Sequence, residues 1–379
     1  MKILVVCGAS LLRGSGIEKF VENLVLGFQE PEIHFTIIYP YFDSVEAKWE
    51  PGTSDRVNLI PVFIPIPPMW RWAAQIRTFL FNLFVVIFYL FHYSRFDIIH
   101  TNGEKGTFSL FLGRNHSVFT IHGYALESSR RIRNQLKAVA KFGELMGAVT
   151  VAFQEKISYR LARSSVAVSQ MSAELFTKWK PQFKPKVVPI GVSDGYKSSK
   201  SRIEVASKYG FDPHNLLLLW IGTNPIRKGL PISLNAINQL KNVDLVVIGT
   251  GYIPQVPNNV HLLGRVEQDE LFDLYSSADA LFFPSLYEAM SLTVLEALSY
   301  GLPILGFKVD FMTEILGSDY PLLVERSDQF PERIIRMRDD LTYRKNIVSI
   351  SKEISLKYTR EKMCLAYRDI YLRNLNEIN

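Results

Sequence analysis

Apolar residues in this chain gather in short unbroken runs separated by longer amphipathic stretches. The first series is Lys2–Val6, His34–Tyr39, Asp97–His100, Ser117–Ile121, Ser165–Val168 and Lys186–Ile190. A second follows at Leu216–Ile221, Asp244–Ile248, Val260–Leu263, Ala280–Pro284, Pro303–Phe307 and Leu322–Val324. Runs this short, without polar alternation, predict strands buried on both faces, and the intervening stretches carry helical spacing. Their alternation predicts βαβ units and parallel sheets, an α/β chain with two doubly wound domains. A length of 379 residues exceeds one ordinary core and suits two. The boundary falls in Gly191–Ser201, where Gly, Ser and Lys displace periodic apolar residues. The expected domains are residues 1–194 and 195–359, followed by a last helical pattern over Arg360–Asn374.

Composition changes this picture in three places. The only cysteines are Cys7 and Cys364, in the first strand and the last helix, which excludes a disulfide framework and a thiolate metal site. The opening apolar run Ile3–Val6 is too short for the core of a signal peptide, so the expected location is the cytoplasm. The run Phe79–Phe91 falls short of the ~20 residues that cross a bilayer and reads as a core helix of the first domain. Trp70, Arg71, Trp72 and Arg77 before it, with Tyr93 and Arg95 after it, support a competing reading as a membrane-surface helix. The net charge of +6 is concentrated: from Glu127 to Lys186 twelve basic residues oppose four acidic ones, a local excess of +8. That stretch is either a solvated basic face or a surface for anionic lipid or a phosphorylated acceptor at the inner face of a membrane. No nucleic-acid module accompanies it.

Candidate chemistry concentrates where the second series of strands ends. Glu288 and Glu296 stand eight positions apart in EAMSLTVLE, after the strand-like run Asp279–Ser285. The strand exits at Pro284, and a helix begins near Ser291 and closes at Gly301. Unpaired N–H groups at Ser291, Leu292 and Thr293 then lie between two carboxylates, so an anion can rest on the helix end while each carboxylate accepts from hydroxyl groups. Arg227 and Lys228, in the turn after Trp220 and Ile221, place adjacent cations at another strand end, suited to a diphosphate leaving group. Gly249-Thr250-Gly251 and Gly264-Arg265-Val266 end two further strands. In the first domain Leu12 to Glu18 is a glycine-containing loop leading into a helix, and His122 directly follows a buried strand. A structural hydrogen-bonding role is the competing reading for His122, and His100 reads as structural. No D-x-D, H-E-x-x-H or cysteine cluster indicates a catalytic metal, and no cofactor is expected.

The string from Phe282 to Pro303, with Glu288, Leu292, Glu296 and Gly301 in register, resembles the nucleotide-sugar site of retaining glycosyltransferases of the family-four, group 1 type. The resemblance spans nearly the whole chain. It implies a GT-B fold, two Rossmann-like domains facing each other across a cleft, with residues 360–379 packing back on the first. It implies a nucleoside-diphosphate sugar as donor and a glycan or lipid-linked acceptor. Glu288 then faces the transferred sugar, Glu296 holds the ribose, Lys228 the phosphates, and His122 lies near the sugar. Met290, Ser291 and Leu292 replace the usual segment after the first Glu, and the backbone near Arg265 and Val266 reads the base. Ser15-Gly16-Ile17-Glu18 resembles the family's G-G-x-E loop with Gly14 or Gly16 making the contact. Pro189-Ile190-Gly191-Val192 resembles its linker motif, with Ile190 for Asn. Thr223 stands where the family carries Arg, and Arg227 is the candidate replacement. These departures motivate a rival, a non-catalytic nucleotide-sugar-binding partner subunit. A nicotinamide-dependent dehydrogenase is disfavoured by the absence of a complete G-x-G-x-x-G after the first strand.

Overall fold

The computed structural model describes residues 1–8, 16–41, 54–66, 74–103, 106–132, 138–196, 198–238, 240–249 and 255–376. Two compact units emerge, one of Met1–Gly191 with Arg360–Asn379, the other of Val192–Thr359. The first unit contains β1 (Lys2–Val6), α1 (Gly16–Gly27), β2 (His34–Tyr41), β3 (Val57–Phe63), α2 (Ala74–His92), β4 (Ile98–Asn102) and β5 (Ser117–Ile121). It continues through α3 (Ala125–Ile132), α4 (Ala138–Leu161), β6 (Ser164–Ala167), α5 (Gln170–Trp179) and β7 (Lys186–Val187). The second unit contains α6 (Arg202–Tyr209), β8 (Leu216–Ile221), α7 (Leu230–Ile237), β9 (Val243–Ile248), β10 (Val260–Gly264), α8 (Gln268–Ser277) and β11 (Ala280–Phe282). It ends with α9 (Leu292–Ser299), β12 (Ile304–Phe307), α10 (Asp310–Leu316), β13 (Leu323–Val324), α11 (Phe330–Asp339) and α12 (Leu341–Ser355), after which α13 (Arg360–Asn376) returns to the first unit.

Each unit is a parallel sheet whose strand order reverses once. The first runs β3-β2-β1-β4-β5-β6-β7 and the second β10-β9-β8-β11-β12-β13. The central strands are fully buried, Ile3 to Val6 in β1 and Leu217 to Trp220 in β8 each with no exposed surface, which is why they read as unbroken apolar runs. In open sheets of this kind, ligands bind beyond the carboxyl ends of the strands where the order reverses. Those points lie between β1 and β4 in the first unit and between β8 and β11 in the second.

Strand β3 has no counterpart among the expected runs. Pro61 interrupts it, yet β3 is an edge strand bonded only to β2, and an edge tolerates a residue that cannot donate. Helix α2 is longer than the run read from the sequence. The segment Gln75–Arg95, most of α2 with the turn after it, has mean hydropathy 1.6 and is long and apolar enough to cross a membrane by length and composition. One side, with Phe81, Val85 and Tyr89, packs on Leu4, Val6, Ile38 and Ile99 of the sheet. The other presents Ile76, Phe79, Leu83, Ile87, Leu90 and Phe91 to solvent, Phe91 at 80% exposure. The helix thus joins the core of the first unit by one face, as expected, and leaves its second apolar face exposed.

Helix α13 closes the first unit against α1. A side chain at Gly27 would sit 2.4 Å from Cys364 Sγ, so the two helices touch through a residue without one. Tyr367 and Tyr371 reach from α13 into a buried polar web. His100 Nδ1 meets the Tyr371 hydroxyl at 2.7 Å and its Nε2 meets Thr120 Oγ1 at 2.7 Å, while Thr120 also contacts the Tyr367 hydroxyl at 2.9 Å. His100 is thus structural. Burial, with His122 nearby, pushes its pKa down from 6.5 to about 3. The folded ring stays neutral while the unfolded one takes a proton below 6.5, so stability is full above that value and falls as pH drops towards 3. Between pH 6.5 and 5 this linkage costs about 2 kcal/mol. Urea titrations at several pH values should show at least that loss in the wild type, since His122 is shifted the same way, and a shallower dependence in His100→Gln; identical dependence would refute it.

Candidate functional site

At the reversal point of the second sheet, the turn after β8 is pinned to the loop after β11. Gly229 adopts φ +70°, and a Cβ there would lie 2.2 Å from the Pro284 carbonyl oxygen, so glycine alone permits the approach. Leu286 donates its N–H to the Arg227 carbonyl at 3.2 Å, and the Trp220 indole donates to the Lys228 carbonyl at 3.1 Å. With the main chain of Arg227 and Lys228 anchored, their side chains meet Glu288. Arg227 Nη1 lies 2.8 Å from Glu288 Oε1 and donates to the Tyr287 carbonyl at 3.0 Å. Lys228 Nζ lies 3.8 Å from the same carboxylate oxygen and 4.8 Å from the centre of the Phe283 ring.

The Lys228 side chain is only 13% exposed. Burial lowers its pKa, Glu288 and Glu296 oppose that shift, and Arg227 adds to it. Its charge is therefore sustained by the two carboxylates, both of which are close enough to act on it. An anion arriving beside Lys228 would find a cation already stripped of most of its water.

Helix α9 begins as the apolar pattern implies. Ser291 is its N-cap, accepting from the Val294 N–H at 3.4 Å, and Gly301 follows its end at φ +74°. The cap takes the Val294 donor, and the N–H groups of Leu292 and Thr293 are first-turn donors without intrahelical carbonyls. Met290 and Leu292 are partly exposed beside them. Glu296 lies one turn further in, where the buried Tyr275 hydroxyl donates to Oε2 at 3.3 Å. Tyr275 in turn stacks on Tyr300 at 5.0 Å. Sequence reasoning missed Tyr275, because α8 and α9 become neighbours only in space.

The remaining predicted residues occupy the same sheet edge or the other unit. Gly249 follows β9 at φ +88°, its N–H bonded to the Gly264 carbonyl, and a Cβ there would come 3.1 Å from the Gly222 oxygen. The ends of β8, β9 and β10 are thereby drawn together, with Arg265 and Val266 just beyond and Thr223 exposed in the turn after β8. Thr250 and Gly251, like Leu12 to Ser15, lie outside the described residues. Gly16 is the exposed first residue of α1, and Phe20 in that helix meets the His122 ring in a T-shaped contact at 4.7 Å. His122 Nε2 lies 3.0 Å from Asn102 Oδ1. The residue is partly exposed as a whole, and burial pushes the ring's pKa down from 6.5 to about 3. Ser169 is spent capping α5 through the Ser172 N–H at 3.2 Å. Among the described residues no group of three or more His, Cys, Asp or Glu side chains converges as a metal set. A basic recess of about 290 Å³, lined by Arg163, Lys184, Lys186 and Arg373, opens at the amino ends of β6 and β7, the edge opposite His122.

Comparison with known proteins accords with this geometry. The model described as Glycosyltransferase Family 4 matches residues 14–195, and that described as Glycosyl transferases group 1 matches residues 215–340. An uncharacterized glycosyltransferase of Methanocaldococcus jannaschii is 26% identical over 50% of this chain and 54% of its own, so the chain spans about half the length of that relative. The UDP-Gal:alpha-D-GlcNAc-diphosphoundecaprenol alpha-1,3-galactosyltransferase of Escherichia coli is 24% identical over 73% of this chain and 74% of its own. Among solved structures, sucrose-phosphate synthase of Thermosynechococcus elongatus superposes with TM-score 0.75 at 17% identity, covering 100% of both chains. Anabaena HepE, crystallised with UDP and glucose, gives 0.72 at 16% identity over 98% of this chain and 99% of its own. These likenesses establish the GT-B fold of two Rossmann-like domains. Matched in both halves by its models, the chain belongs to the family-four, group 1 glycosyltransferases.

Proposed function

We propose that this protein is a metal-independent hexosyltransferase that moves a sugar, with retention of configuration, from a nucleoside diphosphate to a lipid-linked or growing glycan acceptor. The observation that carries this reading is the meeting of Arg227, Lys228 and Glu288 at the reversal point of the second sheet, beside the N-terminus of α9. Lys228 and the Leu292 and Thr293 N–H groups bind the diphosphate and take up the charge that grows on it as the sugar–oxygen bond breaks. Glu296, steadied by Tyr275, accepts from the ribose hydroxyls, and Glu288 from the sugar. Arg227 holds Glu288 in place and shares the leaving-group charge, the contribution that Thr223 cannot make. The backbone near Arg265 and Val266 meets the base. In the transfer, the acceptor oxygen attacks the anomeric carbon on the face the phosphate leaves, and a departing phosphate oxygen takes the acceptor's proton. His122, with Gly16 on the adjoining helix, serves the first unit's side of the reaction by hydrogen-bonding a sugar hydroxyl.

The acceptor is met at the cytoplasmic face of a membrane. The outward row of α2, with exposed Phe111 and Leu112 after it, forms an apolar surface, and the sequence from 74 to 96 and from 106 to 126 contains no acidic residue. Exposed Tyr93 and Arg95 at its end suit a headgroup layer. Among the relatives, the galactosyltransferase of Escherichia coli is named for a diphosphoundecaprenol acceptor and a Streptococcus pneumoniae relative for a diacylglycerol glycolipid.

Calorimetry with a panel of nucleoside-diphosphate sugars, followed by product mass spectrometry with membrane extracts, tests the first reading. Glu296→Ala should weaken donor binding by about 1–3 kcal/mol, and Lys228→Ala should depress turnover at least as much as binding. Donor binding without transfer by the wild type would favour the non-catalytic subunit instead. For the membrane, the triple variant Phe79→Ser, Ile87→Ser, Phe91→Ser should lose cosedimentation with phosphatidylglycerol vesicles by on the order of 100-fold while keeping its melting temperature. Unchanged partitioning would remove α2 from the bilayer.

A further inference from the structure

We infer that Asn102 is a positioning residue that locks His122 into one tautomer, with the proton on Nε2 and Nδ1 left as a hydrogen-bond acceptor. The inference rests on the reading that His122 serves the sugar, and it extends to how that ring is set.

β1, β4 and β5 are consecutive parallel neighbours across the reversal point of the first sheet, and their carboxyl ends bring Val6, Asn102 and His122 together. Asn102 is 1% exposed. One end of its amide lies 3.3 Å from the Val6 carbonyl oxygen, and the other lies 3.0 Å from His122 Nε2. A main-chain carbonyl can only accept, so the amide nitrogen must face Val6. The amide oxygen must then face the imidazole. That oxygen also only accepts, so Nε2 must carry the hydrogen. The opposite amide orientation would set two acceptors against each other at Val6, a cost that burial makes severe. Low basicity of the ring completes the assignment, because a neutral imidazole carries one proton and Asn102 fixes where.

Ring orientation is fixed as well as tautomer. Phe20 closes one side with its T-shaped contact, and the titratable group facing the ring is His100, itself held neutral between Tyr371 and Thr120. Nδ1 makes no hydrogen bond among the described residues. His122 is thereby set to accept from a hydroxyl rather than to donate to one, and it does so without charge. A ring that donated through Nδ1 would select an acceptor oxygen on its ligand instead.

Imidazole ¹⁵N correlation spectra of the full chain test this directly. The wild type should show His122 as the Nε2–H form across the neutral range. Asn102→Ala should give a mixture of tautomers and lower kcat/KM by ~10-fold or more. Asn102→Asp offers a second variant that keeps an acceptor at the same place. Its carboxylate should retain the Nε2–H form and raise the pH at which His122 titrates, adding an acid limb to the rate profile. A wild-type ring protonated on Nδ1, or a tautomer indifferent to Asn102→Ala, would overturn the inference. Loss of the tautomer with unaltered turnover would uphold Asn102 as the orienting residue and remove His122 from the sugar, so the two readings fail separately.

Discussion

The functional edge of the second unit depends on one close approach, the backbone of Gly229 against the carbonyl of Pro284. Two loops that leave different strands, β8 and β11, can share a site only if their main chains come within van der Waals distance. A side chain at 229 would hold them apart. Once they meet, the bonds from Trp220 to Lys228 and from Leu286 to Arg227 fix the register of the turn. The positions of the charged side chains follow from that register. Glycine after the lysine is thus a steric requirement of the sheet reversal, and the chemistry of the neighbouring residues is built on it.

Charge at this edge is arranged as unfinished business. Glu288 is claimed by Arg227 at 2.8 Å, while Lys228 stands further off at 3.8 Å and lies 4.8 Å from the centre of the Phe283 ring. A buried ammonium whose nearest carboxylate stands 3.8 Å away is worth less to the fold than a bidentate pair, since burial removes water that Coulomb attraction at that range only partly replaces. A diphosphate bound as proposed would supply what is missing. In the proposed reaction that attraction strengthens as the leaving group gains charge, so the same desolvation that weakens Lys228 in the protein alone sharpens its preference for the transition state.

Sequence reading was most direct where local structure is encoded by neighbours in the chain. The spacing of Glu288 and Glu296, the Ser291 cap and the Gly301 stop are properties of one loop and one helix, and the structure forms them within a residue or two. The paired sheets were legible for the same reason, since buried parallel strands are simply runs of apolar residues. What escaped lay in contacts between distant segments or in context. Tyr275 reaches Glu296 across two helices, Asn102 reaches His122 across two strands, and neither has a sequence pattern. Strand β3 was hidden by Pro61, whose cost depends on whether the strand is an edge. The outward face of α2 was hidden because a helix apolar all round carries no sign of which side the sheet will take.

The two units divide the chemistry by charge. The second gathers two cations, two carboxylates and a helix N-terminus, groups suited to a ligand whose charge changes during reaction. The first offers His122 and Asn102, backed by a web of His100, Thr120, Tyr367 and Tyr371 in which every histidine is held neutral by burial. The return of α13 to the first unit bears on this directly. By supplying Tyr367 and Tyr371, the last helix of the chain completes the buried web behind β4 and β5 that holds the His100 ring neutral.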